Sequence, residues 1–174
     1  MLEKAEQDHN GMTDDELQIG WMSWEQILPF KEQLIDMELD CMIAFHYPDM
    51  AIPRSYPAQK ADELEQHLAS GNTYFWGVRS RERLLGYYWG YTTRFIDFLR
   101  WHTRSVYFLP EARNRGFGTE ALKAACEKAA ELGCKDISTM YAAQNKTMAH
   151  TLEKLGFKTT RIETVCDLRT VAQK

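Results

Sequence analysis

Long apolar runs are missing from this sequence: no stretch reaches the roughly 18 consecutive apolar residues of a membrane span, so no membrane partner is expected. Cysteine is sparse and carries no metal pattern. Cys41, Cys126, Cys134 and Cys166 include no C-x-x-C pair, and no histidines cluster at zinc spacing, so no metal is expected. The four thiols read as reduced cysteines of a cytoplasmic protein. Basic charge is not in excess either. The net charge is −4, which removes the global positive field that recruits nucleic acid. A polyanionic ligand must then be met by a local cluster of donors. Met1 to Gly11 is polar and lacks the apolar core of a secretory signal. Residues 1–12 are expected to form a flexible tail and 13–174 a single domain. No repeat or low-complexity tract interrupts the chain.

What is present suits a globular domain: 174 residues, 44% apolar and 26% charged. Gln18–Met22 suits a short strand. Trp24–Met37 has the apolar spacing of a helix, with Ser23 as N-cap and Pro29 placed to bend it. Residues 45–57 hold Pro48, Pro53 and Pro57 and are expected to form a loop. A helix over 58–68 is followed by two strands, Thr73–Arg79 and Leu84–Thr92, joined by a polar turn as a hairpin. A further strand, Arg104–Leu109, stops at Pro110. Then come a helix (Gly118–Leu132, capped by Gly133), a strand (Asp136–Tyr141), a helix (Asn145–Leu155, closed by Gly156) and a last strand (about Phe157–Leu168). A strand-helix-strand unit after an antiparallel hairpin implies an α/β (α+β) fold, a mixed central sheet flanked by helices.

The informative segment is Ser105-Val-Tyr-Phe-Leu-Pro-Glu-Ala-Arg-Asn-Arg-Gly-Phe-Gly-Thr119. A strand ends, Arg113 and Arg115 follow, and Gly116 and Gly118 stand where a helix opens. The first turn of a helix has free N–H groups and the positive end of the helix dipole. Glycines let a ligand approach the backbone. These features together describe a pyrophosphate site. The P-loop spacing is absent. Gly116-x-Gly118-x-x-Ala121 fits the dinucleotide pattern, but the next strand ends in Tyr141 with no acid placed for a ribose.

Arg113-x-x-Gly116-x-Gly118 resembles the R/Q-x-x-G-x-G/A signature of the GNAT (GCN5-related N-acetyltransferase) superfamily. Asn145 and Lys154-Leu-Gly-Phe157 resemble its second motif, so the resemblance covers about Leu84 to Phe157. It implies a fold whose central parallel strands splay apart after the Ser105–Leu109 position. It also implies acetyl-coenzyme A as cosubstrate. Tyr107, Phe108 and Leu109 would offer backbone to the pantetheine arm, and one N–H there would stabilise the oxyanion. The amides of Arg113, Asn114, Arg115, Gly116, Phe117, Gly118 and Thr119 would hold the pyrophosphate. Asn145 would bond to the cofactor, cap its own helix, or do both.

The sequence departs from the family where a tyrosine commonly protonates the leaving thiolate: that position is Leu152. A water or Tyr141 is left as the acid. The base is sought on the strand before the loop, where His102 and Arg104 share a face, as Val106 would in a regular strand. His46 and His150 are further candidates, and a surface role for His102 is the alternative. The acceptor site is expected from residues 45–57 and the aromatic hairpin Tyr87-Tyr88-Trp89-Gly90-Tyr91, unless those rings are ordinary core. Asp36, Glu38, Asp40 and Asp49 would draw a cationic acceptor or form a solvated face. The implied function is transfer of acetyl to a primary amine of a small molecule or protein, with a homodimer compatible. The alternative is a non-catalytic module that binds coenzyme A as a sensor or regulator. A dinucleotide oxidoreductase rests on the glycine match alone.

Overall fold

The computed structural model of the chain describes residues 17–164. The expected tail over residues 1–12, residues 165–168 of the expected last strand and Cys166 lie outside them. The described chain divides into two compact units, within residues 1–142 and 143–174.

In the first unit, β1 (Gln18–Met22), β2 (Thr73–Arg79), β3 (Leu84–Phe95), β4 (Phe98–Phe108) and β5 (Asp136–Ser138) form one sheet in the order β1-β2-β3-β4-β5. The first four pair antiparallel, and β5 joins β4 in parallel. This is the mixed sheet expected from the sequence. Before β2 come α1 (Trp24–Ile27), a 3-10 turn (Leu28–Phe30), α2 (Lys31–Cys41), a π-helical turn (Met42–His46) and α3 (Ser55–Ala69). Pro29 sits in the 3-10 turn and breaks one expected helix into two.

Ile27, Phe30, Leu34, Met37, Cys41 and Leu64 pack with Phe75, Leu84, Tyr87, Trp89 and Tyr107 of the sheet. Helix α4 (Phe117–Glu131) lies against β2, β3 and β4. It buries Ala121, Leu122, Ala125 and Ala129. Trp101 is fully buried, donates Nε1–H to the Tyr88 hydroxyl at 2.6 Å and stacks on Tyr74 at 5.1 Å.

Several elements differ from expectation. Residues 45–57 are not one loop: the π-turn continues α2 as far as His46, and α3 begins at Ser55 with Pro57 in its first turn, where a missing N–H costs little. Strand β4 begins at Phe98 rather than Arg104, because the hairpin turns tightly at Ile96-Asp97. Arg100, His102 and Arg104 alternate with its first apolar residues and hide that half of the strand from apolar patterning. The β5 ladder is three residues long, and residues 157–164 form no strand despite their β-branched composition.

One irregularity positions the site. Trp89 pairs with Ser105 and Gly90 with Thr103, so Arg104 is an extra residue, a β-bulge. Directly opposed residues share a face. His102 therefore goes with Tyr91, and Val106 with Tyr88 on the other face. The expected alignment of His102 with Val106 fails for this reason. Among the described residues no helix is long and apolar enough to cross a membrane.

Candidate active site

The parallel ladder between β4 and β5 ends at His102 opposite Ser138, whereas β4 runs on to Phe108. Beyond that rung, among the described residues, β4 keeps a ladder partner only in β3. Its root is pinned by a bidentate ion pair: Arg100 Nε and Nη2 each reach Asp136 at 2.6 Å. The pair holds the Asp136 carboxyl below its usual range.

The orientation of the unpaired backbone follows from alternation. Leu109 N–H donates to the Leu85 carbonyl at 2.9 Å. In an antiparallel ladder, Tyr107 then also faces β3, while Val106 and Phe108 turn their N–H and C=O groups away from it. Both carbonyls on that side meet other groups. Cys41 Sγ lies 3.9 Å from the Val106 oxygen, and Arg113 Nε donates to the Phe108 oxygen at 2.8 Å. Of the expected Tyr107, Phe108 and Leu109, only Phe108 presents backbone to the open side. Val106, which the sequence reading did not single out, presents the rest. The bulge and the hairpin register set this phase, and neither is visible in composition.

After β4 a short 3-10 turn (Pro110–Ala112) leads to the loop. Asn114 and Gly116 both adopt left-handed backbone, with φ of 61° and 86°. Alternation of left- and right-handed residues turns successive N–H groups into a concave anion nest. Gly116 precedes α4, whose ladder begins with Thr119 and Glu120 N–H donating to the Gly116 carbonyl, each at 3.0 Å. The Phe117 and Gly118 N–H groups stand ahead of that ladder at the positive end of the helix. Arg113 N–H is taken by Pro110 and Thr119 N–H by Gly116, so the cradle narrows to the amides between them. A Cβ at Gly118 would stand 3.6 Å from the Phe108 ring, and one at Gly116 would meet nothing within 4 Å. The nest is thus open on its outer side. Its donors suit a diphosphate such as that of coenzyme A. The guanidinium of Arg115 lies 4.9 Å from the Phe117 ring centre, at the same end. That of Arg113 is turned back over Tyr107, 5.4 Å from the ring centre, and serves the strand end.

Polar groups gather on the α2 side of the open strand. Glu38 is only 7% exposed and accepts from Trp89 Nε1 at 3.1 Å. Tyr87 and Ser105 hydroxyls lie 3.2 Å apart. Burial, with Glu38 nearby, pushes the Tyr87 phenol well above its usual range. The same two causes push the Cys41 thiol up to about 12. Arg104, the bulge residue, stands over Trp89 at 5.7 Å. His46, at the end of the π-turn, has its pKa lowered by partial burial and then by Arg104, with Glu38 opposing.

His102 sits at the last paired rung. Its Nε2 is 3.0 Å from Thr93 Oγ1, and its ring stacks on Tyr91 at 5.2 Å. Partial burial and Arg100 lower its pKa. Its imidazole is thus tied to β3, at the closed end of the splay. Tyr141, the side chain expected as a possible acid, is exposed.

The second unit contains α5 (Lys146–Lys154). Asn145 caps it, Oδ1 accepting from Met148 N–H at 3.1 Å. Leu152, at the position of the family acid, is 3% exposed. The chain then stops the helix at Gly156, where Phe157 N–H returns to the Leu152 carbonyl at 3.0 Å.

Residues 32–157 match the model of the Acetyltransferase (GNAT) family. No curated protein matches the chain. Solved structures match it at low identity over most of both chains. A transcriptional regulator from Bacillus halodurans C-125 has a TM-score of 0.69 at 19% identity, over 87% of this chain and 99% of its own. A predicted acetyltransferase from Clostridium acetobutylicum, solved with acetyl-CoA, gives 0.69 at 12% identity, over 88% and 97%. An aminoglycoside acetyltransferase from an uncultured soil metagenomic sample, in complex with sisomicin, gives 0.60 at 15% identity, over 88% and 95%. At these identities the likeness is one of fold.

Proposed function

The chain belongs to the acetyltransferase (GNAT) family, and from that premise we propose that it transfers acetyl from acetyl-coenzyme A to a primary amine of a small molecule or protein. The observation that carries the reading is the junction of two sites at one strand end. The anion nest at Asn114–Gly118 begins a few residues after the unpaired edge at Val106 and Phe108. A ligand with a diphosphate and an extended amide-bearing arm fits that order of donors.

When bound, acetyl-coenzyme A supplies an activated acyl carbon and a thiolate leaving group. The Phe117 and Gly118 amides bind the diphosphate at the positive end of α4. Val106 and Phe108 take the arm as an added strand, through backbone groups that β3 leaves free. The Phe108 N–H is the donor placed to stabilise negative charge on an acyl oxygen, a contribution of a few kcal/mol in comparable sites. Cys41, the thiol beside this edge, is held protonated, with a pKa of about 12. In that form it is a poor nucleophile at neutral pH, which favours direct attack by the amine. Leu152 offers no proton, which leaves a water or Tyr141 to relay a proton from the attacking nitrogen to the thiolate. A coenzyme-binding module without chemistry is the second reading, and the buried Leu152 is the observation that favours it.

The aminoglycoside enzyme among the structural neighbours makes aminoglycosides one acceptor class to include. A panel of amines with acetyl-coenzyme A, monitored by release of free thiol, tests the proposal. Tight coenzyme A binding by calorimetry with no release across polyamines, aminoglycosides and peptide amines would leave the sensor reading.

A further inference from the structure

The open end of β4 faces α2, and the helix end there leads to an imidazole with no hydrogen-bond partner among the described residues. Cys41 at the end of α2 reaches the Val106 carbonyl, so this helix end borders the stretch of β4 that β5 leaves bare. The chain then makes a π-helical turn, Met42–His46, closed by Tyr47 N–H to the Met42 carbonyl at 2.7 Å. Such turns are rare and recur at functional positions. This one ends at His46, a residue exposed to solvent.

The surroundings of His46 are chemically specific. Arg104 reaches this side because it is the bulge residue of β4, and it lies over the Trp89 ring. The same indole donates to the buried Glu38 carboxylate. Glu38 from α2 and Arg104 from β4 are the charged groups that act electrostatically on His46. Neither ring nitrogen of His46 has a hydrogen-bond partner among the described residues. His102 differs on both counts: its Nε2 is engaged by Thr93, and it stands at the paired root of the splay.

We propose that His46, carried by the π-turn that continues the helix end bordering the bare stretch of β4, is the base that removes the proton from the incoming amine. The inference rests on the acetyl-transfer reading above and adds a catalytic residue to it. The acceptor arrives as an ammonium ion, and one proton passes from it to a ring nitrogen of His46. The neutral nitrogen then forms the C–N bond to the acyl carbon while the C–S bond breaks, and sulfur leaves with the bonding pair. The second proton lost by the nitrogen goes to the thiolate, and His46 returns the first to solvent. Partial burial and Arg104 keep the resting imidazole neutral at neutral pH, the form able to accept. Glu38 favours the imidazolium once it forms.

Two measurements test this. In the protein without ligand, the His46 imidazole followed by NMR should titrate below its ordinary value of 6.5. Arg104→Gln should raise that midpoint, and Glu38→Gln, which keeps an acceptor for Trp89, should lower it. In turnover, His46→Gln should cut kcat about a hundredfold for an alkyl amine from the panel. Coenzyme A affinity by calorimetry should stay the same. Hydroxylamine, already neutral near pH 7, should recover most of the lost rate, which a merely structural role would not allow. Equal rates for parent and His46→Gln with the same alkyl amine would overturn the inference. So would an equal loss with hydroxylamine, or a His46 midpoint indifferent to Arg104. If His102→Gln alone loses the rate, the base is His102. No thiol release from the parent with any amine would defeat the acetyl-transfer reading itself, a result separable from these.

Discussion

Arg113 Nε donates to the carbonyl oxygen of Phe108 at 2.8 Å, so the first arginine of the loop motif fastens the loop to the strand before it. Its guanidinium lies over Tyr107 rather than over the helix start. Its contribution to coenzyme binding is therefore to fix the nest and the last open residue of β4 relative to one another. Arg113→Met keeps the stem and removes the donor. Coenzyme A affinity should fall by about tenfold with the far-UV spectrum unchanged. A loss that titrates away at high salt in the parent, but not in Arg113→Met, would instead mark a direct phosphate contact.

Gly118 separates fold from ligand in one position. A methyl there meets Phe108 only at ordinary van der Waals distance, 3.6 Å. Gly118→Ala should fold like the parent. Gly118→Asp should fold too, yet place a carboxylate against the diphosphate and weaken coenzyme A binding by about tenfold or more. Calorimetry on the two variants checks it, and equal affinity for parent and Gly118→Asp would remove the diphosphate from this nest.

The Arg100–Asp136 pair ties stability to pH. The folded carboxyl of Asp136 is held below its ordinary 3.8 by Arg100, so the unfolded chain binds the proton more readily. The stabilisation is fully present above that ordinary value and is lost as pH falls through the folded value. Asp136→Asn should thus be less stable than the parent in urea at pH 7. The difference should shrink steadily below about pH 4 as the parent carboxyl protonates. A gap that is constant with pH would show that packing, not charge, holds this junction.

Gly90 is enforced by packing. A Cβ there would collide with the Trp101 indole and stand 2.8 Å from the His102 carbonyl. Trp101 is fully buried and hydrogen-bonded to Tyr88, so it has no room to yield. Gly90→Ala should lower stability by about 1–3 kcal/mol in chemical denaturation. Near-UV circular dichroism should report a displaced tryptophan.

Element order and the loop motif were legible because each leaves a local trace. Thr73–Arg79 is mostly aromatic and β-branched, and Gly116 and Gly118 mark a helix entry by residue type alone. The phase of β4 was not legible. Placing Val106 on the open edge and Arg104 toward Trp89 depends on a bulge that only the partner strand defines. The pairing of Glu38 with Trp89 spans 51 residues and depends on how α2 lies across the sheet. The helix end at His46 was hidden for a related reason: the prolines that follow suggested a loop, while a π-turn carried α2 five residues further.

The extra residue in β4 makes the strand behave as two screws of opposite phase joined end to end. Ahead of Arg104, odd-numbered residues such as Thr103 share a side with Tyr88; after it, odd-numbered residues such as Ser105 share a side with Tyr87. Removing Arg104 itself would leave Thr103 opposite Gly90 and Ser105 opposite Trp89 in an unbroken ladder, with every side chain beyond it on the face it now occupies. What would be lost is the guanidinium over Trp89. The bulge is thus slack in the strand: it is the place where β4 can give up a residue without turning its distal half over, and Arg104 is held there by what its side chain does rather than by the register.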